Sequence, residues 1–585
     1  MTNKERSAEL RCKPQMYLDY YTGVDSYSDG DTEEDVLNYI TDYQPEEYEE
    51  IFTFDQRWGV YYYLTSIREN LLNWYTFKEH ANVLEVGAGM GALTHLLCDK
   101  CEHVTAVEMS KRRATAIQRR CRTYDNLEIF VGDLTAMEFE QKFDYITVVG
   151  VLEYQTVFGT GDHPQRDFLK QLKGLLAPGG KILIAIENKM GLKYWAGEGD
   201  DHSGQPFDSI NNFRYGGKAK TLDRQELIDL LGSAGIPYYK FYYPMGDYKL
   251  PTKIFTDGYV DERCYLMTES PLYSKFLYSH ASMVIREEEV RGAIVRNGVF
   301  SFFANSFLVE AAAEEVVFDK TKFVSIAMLR TQKNRIYTHF DGEIYRKVAL
   351  TQAAKAHVEQ TYKNAEYLKK QGIHIVPQEY HAGVLSMPVQ KSKAVDEQFK
   401  EAVLNGELEK ATDILDHLYA LIQESSELLP PEENGLFKEG KITRKEAQDC
   451  GPVLKVANLE LNLQNCLEVE GKWQFFDQEW VMQNIPATYI LARAIDEEYH
   501  SYPSLSTICP ASYWNDKYQL TALEPVFQII GQMFLANIIG HSSEWPILQA
   551  ICDCPEEAIK DNIWMLTKGF DILLALEDWV NKHKG

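Results

Sequence analysis

Asn82-Val83-Leu84-Glu85-Val86-Gly87-Ala88-Gly89-Met90-Gly91 is an apolar run that ends in an acid and then places glycine at three alternate positions. Glycine adopts backbone angles closed to other residues and leaves space beside the chain, so this stretch predicts a strand turning tightly into a helix against a ligand. Two further apolar runs end the same way. Val104-Thr105-Ala106-Val107 is closed by Glu108, and Leu127-Glu128-Ile129-Phe130-Val131-Gly132 by Asp133. A glycine loop with acids closing three successive strands suits a nucleoside-bearing cofactor. The interval from the loop to Glu108 suits a carboxylate gripping ribose hydroxyls. The loop reads G-x-G-x-G, without the G-x-x-G of a pyrophosphate cradle, and no G-x-x-x-x-G-K-[ST] occurs. A dehydrogenase-type site and a purely structural turn are the competing readings.

On these residues the chain resembles the class I S-adenosylmethionine-dependent methyltransferases. The resemblance implies a Rossmann-like α/β domain with S-adenosylmethionine as cofactor. Glu85 would open the loop, and Gly87, Ala88, Gly89 and Gly91 would pass under the methionine and ribose. Glu108 would hold the ribose, and Asp133, with Leu134 beside it, would face the adenine.

The 585 residues exceed what one core supports, so two or more domains are expected. The net charge of −27 argues against a nucleic-acid acceptor, which calls for a basic face. No stretch of ~18 apolar residues predicts a membrane-spanning helix. The opening Met1-Thr2-Asn3-Lys4-Glu5-Arg6 lacks a signal-peptide pattern, and a cytoplasmic location is expected. Cys98-x-x-Cys101 is a lone close pair at the end of a predicted helix and reads as buried thiols.

Four segments are expected: a helical cap over 1–80, a methyltransferase domain over 81–269, a connector over 270–320, and a second domain over 321–585. Tyr61 through Trp74 reads as one helix of the cap. Strands at Val83–Val86, Val104–Glu108, Ile129–Gly132, Tyr145–Val151 and Ile182–Ile186 alternate with helices, which predicts a parallel sheet covered on both faces. Tyr238–Tyr243 with Arg263–Met267 reads as a closing antiparallel pair. From 323 the pattern changes to antiparallel strands, then a helix over about 352–370, then mostly helices.

Methyl transfer from a sulfonium is an in-line displacement, so the acceptor must arrive beyond the carboxyl ends of the strands. There lies Asp200-Asp201-His202-Ser203-Gly204, with His202 a candidate base and Asp201 its orienter. Asp162-His163 is the rival pair. The fourth strand ends Val149-Gly150-Val151-Leu152-Glu153-Tyr154, not in the Asn/Asp-Pro-Pro-Tyr/Phe of amino-methylating nucleic-acid enzymes. Ala185 to Trp195, Asp201 to Gly204, Phe241 to Pro251 and Ser66 to Trp74 resemble a bacterial methyltransferase subfamily of surface-polysaccharide gene clusters. That resemblance implies a glycan or glycan-phosphate acceptor and peripheral association with membrane-bound polysaccharide machinery.

In the second half, Glu460-Leu461-Asn462-Leu463-Gln464-Asn465 is followed by Trp473-Gln474-Phe475-Phe476-Asp477, downstream of Tyr345-Arg346-Lys347 on a predicted strand. Phosphoryl transfer needs a lysine on the phosphates, a helix acid to hold it, a carboxylate near the acceptor and metal ligands. The order resembles the protein-kinase-like fold, an α+β unit, and implies ATP and Mg2+ as ligands. By that resemblance Lys347 is the phosphate lysine, with Glu359 or Glu366 as its partner. Glu460 stands in the catalytic aspartate's place, and Asn465 and Asp477 would bind the metal. Gln478-Glu479 replaces Phe-Gly, and no glycine-rich loop occurs around 325–340, so a non-catalytic pseudokinase module stays open. The layout is similar to O-antigen chain-terminating methyltransferase-kinases, though no sustained heptads follow. A methyltransferase of a non-glycan small molecule is the remaining alternative.

Overall fold

The computed structural model describes residues 14–25, 28, 30, 32–214, 216–262, 283–328, 330–539, 547 and 560–565. They fall into two compact units, one within Met1–Ser325 and Ser543–Gly585, the other within Ile326–Ser542.

The first unit is built on β1 (Gln15–Tyr17), β2 (Asn82–Val86), β3 (His103–Glu108), β4 (Leu127–Val131), β5 (Phe143–Val149), β6 (Leu176–Glu187), β7 (Tyr238–Pro244), β8 (Lys253–Thr256), β9 (Ser306–Ala312) and β10 (Phe323–Ala327). Their order is β1-β4-β3-β2-β5-β6-β9-β7-β8-β10. The first six strands pair parallel. Val83, Leu84, Ile146, Val148 and Ile182 through Ile186 are buried, as a sheet covered on both faces requires. Helices Thr94–Lys100, Lys111–Arg120 and Pro164–Leu175 supply crossovers between parallel strands. Strand order reverses between β2 and β5, so a crevice opens beyond their carboxyl ends.

Three expectations are corrected. Ser306–Ala312 is not connector: all seven residues are buried, and β9 lies antiparallel between β6 and β7. Its acid, Glu310, is affordable there because Tyr75 Oη (2.7 Å), Tyr242 Oη (2.9 Å) and Lys181 Nζ (2.6 Å) all donate to it. β7 therefore pairs with β9 and β8; Arg263–Met267 lies outside the described residues. The segment before residue 80 is not purely helical, since β1 extends the sheet beside β4. Its helix Trp58–Leu64 stops at Thr65, whose extended backbone (ψ 136°) starts a 3-10 turn over Ser66–Leu71.

In the second unit β11 (Ile336–Phe340), β12 (Ile344–Ala349), β13 (Glu379–His381) and β14 (Val384–Pro388) form antiparallel pairs, with helix Lys355–Lys370 packed on β12 and β14. Helices Val395–Leu404, Leu408–Glu424 and Ala487–Ser501 share a core with Leu459, Leu461, Leu463, Phe475 and Trp514. Among the described residues one helix, Thr521–Ile539, is long and apolar enough to cross a membrane by length and composition alone; its Val526, Ile530 and Phe534 are buried in that core.

Candidate functional site

The backbone of the glycine loop takes the left-handed region at Gly87 (φ 71°), Gly89 (φ 56°) and Gly91 (φ 81°). A Cβ on Gly87 would stand 2.4 Å from Val151 Cγ2, whereas one on Gly89 would meet open space. Gly91 packs against the helix behind the loop, where a Cβ would come within 3.2 Å of Ile117 Cα. The Gly89 N–H donates to Glu108 Oε2 (2.8 Å) and the Ser110 N–H to Oε1 (2.9 Å), so the carboxylate that closes β3 is pinned to the loop closing β2. Burial raises the Glu108 carboxyl, against the pull of Arg113 and the backbone donors. Glu85 is buried beneath the loop, where burial pushes it up to about 7 although the Thr94 hydroxyl donates to it (2.6 Å). Asp133 is exposed and accepts from the Thr135 N–H (2.8 Å), capping the turn Leu134–Ala136.

A cavity of about 1480 Å³ opens at this loop and is lined by Glu85, Gly87, Ala88, Gly89, Glu108, Asp133 and Leu134. It continues to the carboxyl ends of β5 and β6, where Glu153, Glu187 and His202 line it. One ligand-type atom from each of these three lies within 4.8 Å of the others. Glu153 is fully buried, and neither of its oxygens has a hydrogen-bond partner. Burial, then Glu187, pushes its carboxyl up to about 8. Glu187 Oε1 accepts from Tyr248 Oη (3.2 Å) and the Lys249 ammonium, while Oε2 faces His202 Nε2 at 3.8 Å. Burial opposes the charge on Glu187, yet Lys249, His202 and Lys193 hold its carboxyl well below the usual range. Burial likewise opposes the His202 imidazolium, but Glu187, Glu153 and Asp201 outweigh it and push it up to about 9.

Asp201 is not the orienter of His202. It accepts from Lys193 Nζ (2.6 Å), Tyr194 Oη (2.5 Å) and Lys249 Nζ (3.1 Å), because one buried and one half-buried ammonium group demand a carboxylate more strongly than an imidazole does. Asp162 and His163 are exposed and do not line the cavity; His163 stands at the N-terminal boundary of helix Pro164–Leu175. Glu153 and Glu187 escaped the sequence reading. Their signal was the one used for Glu85, Glu108 and Asp133, an acid at or just past the carboxyl end of a strand. The amino-terminal segment also reaches the cavity through Trp58, Tyr62 and Arg68. Arg68 is buried with its guanidinium 4.3 Å from the Tyr62 ring, donating to the Lys249 carbonyl (2.9 Å) and leaving Nε without a partner.

In the second unit Lys347 is buried on β12, and its ammonium pairs with Asp477 and with Glu479 (3.0 Å). Burial disfavours that ammonium, but the two carboxylates outweigh it and raise its pKa. Glu359 and Glu366 do not pair with it: both lie on the solvent side of helix Lys355–Lys370 and bind Lys363 and Lys369 (2.6 Å) within one turn. The helix face turned inward carries His357, which bonds Glu479 (2.8 Å), while Arg330 also pairs with that acid. Glu460 accepts from Asn465 Nδ2 (3.1 Å) and lies 3.4 Å from Arg493; burial pushes its carboxyl up to about 8. The Phe476 N–H donates to the Asn465 carbonyl (3.0 Å), which brings Asn465 beside the Asp477 stretch.

Residues 84–182 match the family described as a methyltransferase domain. Nodulation protein S of Rhizobium tropici is 29% identical over 116 residues, 20% of this chain and 47% of that protein. Ribosomal RNA small subunit methyltransferase A of Streptococcus thermophilus is 30% identical over 111 residues, 18% of this chain and 38% of that one. The structure of N-methyltransferase NodS from Bradyrhizobium japonicum WM9 with S-adenosyl-L-homocysteine is 22% identical, covering 26% of this chain and 76% of that chain with a TM-score of 0.21. The chain spans less than half the length of these curated relatives. The matched span holds the glycine loop, Glu108 and Asp133, and the first unit therefore carries a class I S-adenosylmethionine-dependent methyltransferase domain.

Proposed function

We propose that this protein transfers the methyl group of S-adenosylmethionine to an oxygen of a glycan or glycan-phosphate. The observation that carries this reading is the extent of the cavity. At about 1480 Å³ it exceeds the ~300–1,000 Å³ of ordinary ligand pockets, and it runs from the cofactor loop to a polar end beyond β5 and β6. The cavity lining combines hydrogen-bonding groups (Glu153, Glu187, His202) with the aromatic rings of Trp58 and Tyr62 and the guanidinium of Arg68. Sugars present hydroxyls along one edge and an apolar face across the ring, and a guanidinium suits an attached phosphate. RNA, the substrate named for one set of relatives, fits less well, because the net charge is −27 and the polar end is acid-rich. Incubation with methyl-labelled S-adenosylmethionine and fractions of glycan, phosphorylated glycan and RNA tests this. Label in a glycan fraction supports the reading; label only in RNA or in a non-glycan small molecule overturns it.

For the second unit the reading is a protein-kinase-like module that does not transfer phosphate. Asp477, the expected metal ligand, is spent on Lys347, and residues 328–335 contain no glycine to admit a nucleotide's phosphates. Such a module would hold a glycan or a partner protein of membrane-bound polysaccharide machinery. Phosphate transfer from labelled ATP to glycan would restore the bifunctional reading.

A further inference from the structure

From the convergence of Glu153, Glu187 and His202 at the acceptor end of the cavity, we infer that the methyltransferase domain holds a divalent cation of the magnesium–manganese class there, directed at the acceptor oxygen. The inference deepens the proposed function and rests on its placement of the acceptor.

Three ligands from three separate segments meet: one acid after β5, one at the end of β6, and an imidazole from the following loop. A cation ~2.1 Å from each ligand spaces neighbouring ligands ~3 Å apart. The observed separations are all within 4.8 Å, so binding would draw the three groups together. The Glu153 oxygens have no partner at all, and Glu187 Oε2 and His202 Nε2 face only each other, at 3.8 Å. All four atoms are buried without a hydrogen-bond partner. A buried carboxylate with no donor is costly unless it is paired, bound to a metal or neutralised by a proton. Glu187 Oε1 is already held by Tyr248 and Lys249, so the remaining oxygen is fixed in direction, the outer-shell support that metal-ligating carboxylates need.

Two carboxylates, one imidazole and room for further oxygens suit a hard cation that keeps open positions. An acceptor hydroxyl or phosphate oxygen would take one of them, placed in line with the methyl group and drawn towards its nucleophilic form by the cation.

The test is Mn2+ titration of the EDTA-treated full chain, read by calorimetry and by loss of the free Mn2+ electron paramagnetic resonance signal, alongside titration with S-adenosylhomocysteine. Glu153→Gln is the informative variant, because no protein hydrogen bond is lost with the charge. The expected result is Mn2+ binding that Glu153→Gln and His202→Gln weaken tenfold or more, while S-adenosylhomocysteine affinity stays within twofold. Asp477→Asn, far along the sequence in the other unit, is expected to leave that Glu153-dependent binding unchanged. No Mn2+ binding by the wild type, or binding that Glu153→Gln leaves intact, overturns the cation site. Failure of S-adenosylhomocysteine binding with Glu153-dependent Mn2+ binding retained would instead overturn the cofactor reading and support the cation site.

Discussion

Gly87 has no room for a side chain. Its φ of 71° disfavours any L-residue, and a Cβ would strike Val151 at 2.4 Å. Gly87→Ala is therefore expected to cost about 2 kcal/mol of stability or to displace the loop, weakening S-adenosylhomocysteine binding by tenfold or more in calorimetry. Glu85 gives a pH signature. Its folded carboxyl, pushed up to about 7, binds a proton more tightly than in the unfolded chain. Folded stability therefore falls as pH rises from the ordinary glutamate range through about 7, and the full cost, on the order of 3 kcal/mol, is present above it. Glu85→Gln is expected to unfold at higher denaturant than wild type at pH 8 and to match it at pH 4. The charged form of Glu85 favours a cationic sulfur. The affinity of S-adenosylmethionine relative to its neutral-sulfur product should thus rise between pH 6 and 8 and stay flat in Glu85→Gln.

At the scale of elements, the cofactor half was legible and the acceptor half was not. Glycine spacing and strand-closing acids are local signals, and the loop, β2 and β3 appear where sequence places them, with Glu108 at the end of β3. What decided the rest was tertiary competition. Asp201 sits next to His202 in sequence, but Lys193 from the helix Leu192–Trp195 and Lys249, 48 residues further on, take it. β9 was hidden because Glu310 interrupts its apolar run, and the partners that satisfy the acid lie on residues 75, 181 and 242. Glu359 and Glu366 share one helix face, as their spacing requires, but it is the outer one; the polar His357 faces inward. The importance of β9 is measurable. Glu310→Ala strips Lys181 of its carboxylate and two buried tyrosine hydroxyls of their acceptor, and is expected to cost about 3–5 kcal/mol in urea unfolding.

On the scale of the whole molecule, the two compact units give ligand binding a place to register. A ligand that binds only the folded state stabilises it by about 2.7 kcal/mol at a hundred times its Kd. S-adenosylhomocysteine at the glycine loop would contact the first unit alone, since that loop, Glu108 and Asp133 all lie there. ATP with magnesium would act on Lys347, Asn465 and Asp477 in the second. If that unit is a module without phosphoryl transfer, its lysine stays clasped by Asp477 and Glu479, and opening the clasp would expose two carboxylates to a triphosphate of like charge. Calorimetric scanning of the full chain is thus expected to show S-adenosylhomocysteine raising the unfolding temperature by several degrees, with ATP and magnesium raising it by less than one. Asp477→Ala sharpens the comparison, because it removes one of the two carboxylates that hold Lys347. A nucleotide-dependent shift in that variant and none in wild type would mark the clasp as what keeps nucleotide out, whereas a shift in wild type would show that the second unit binds ATP as it stands.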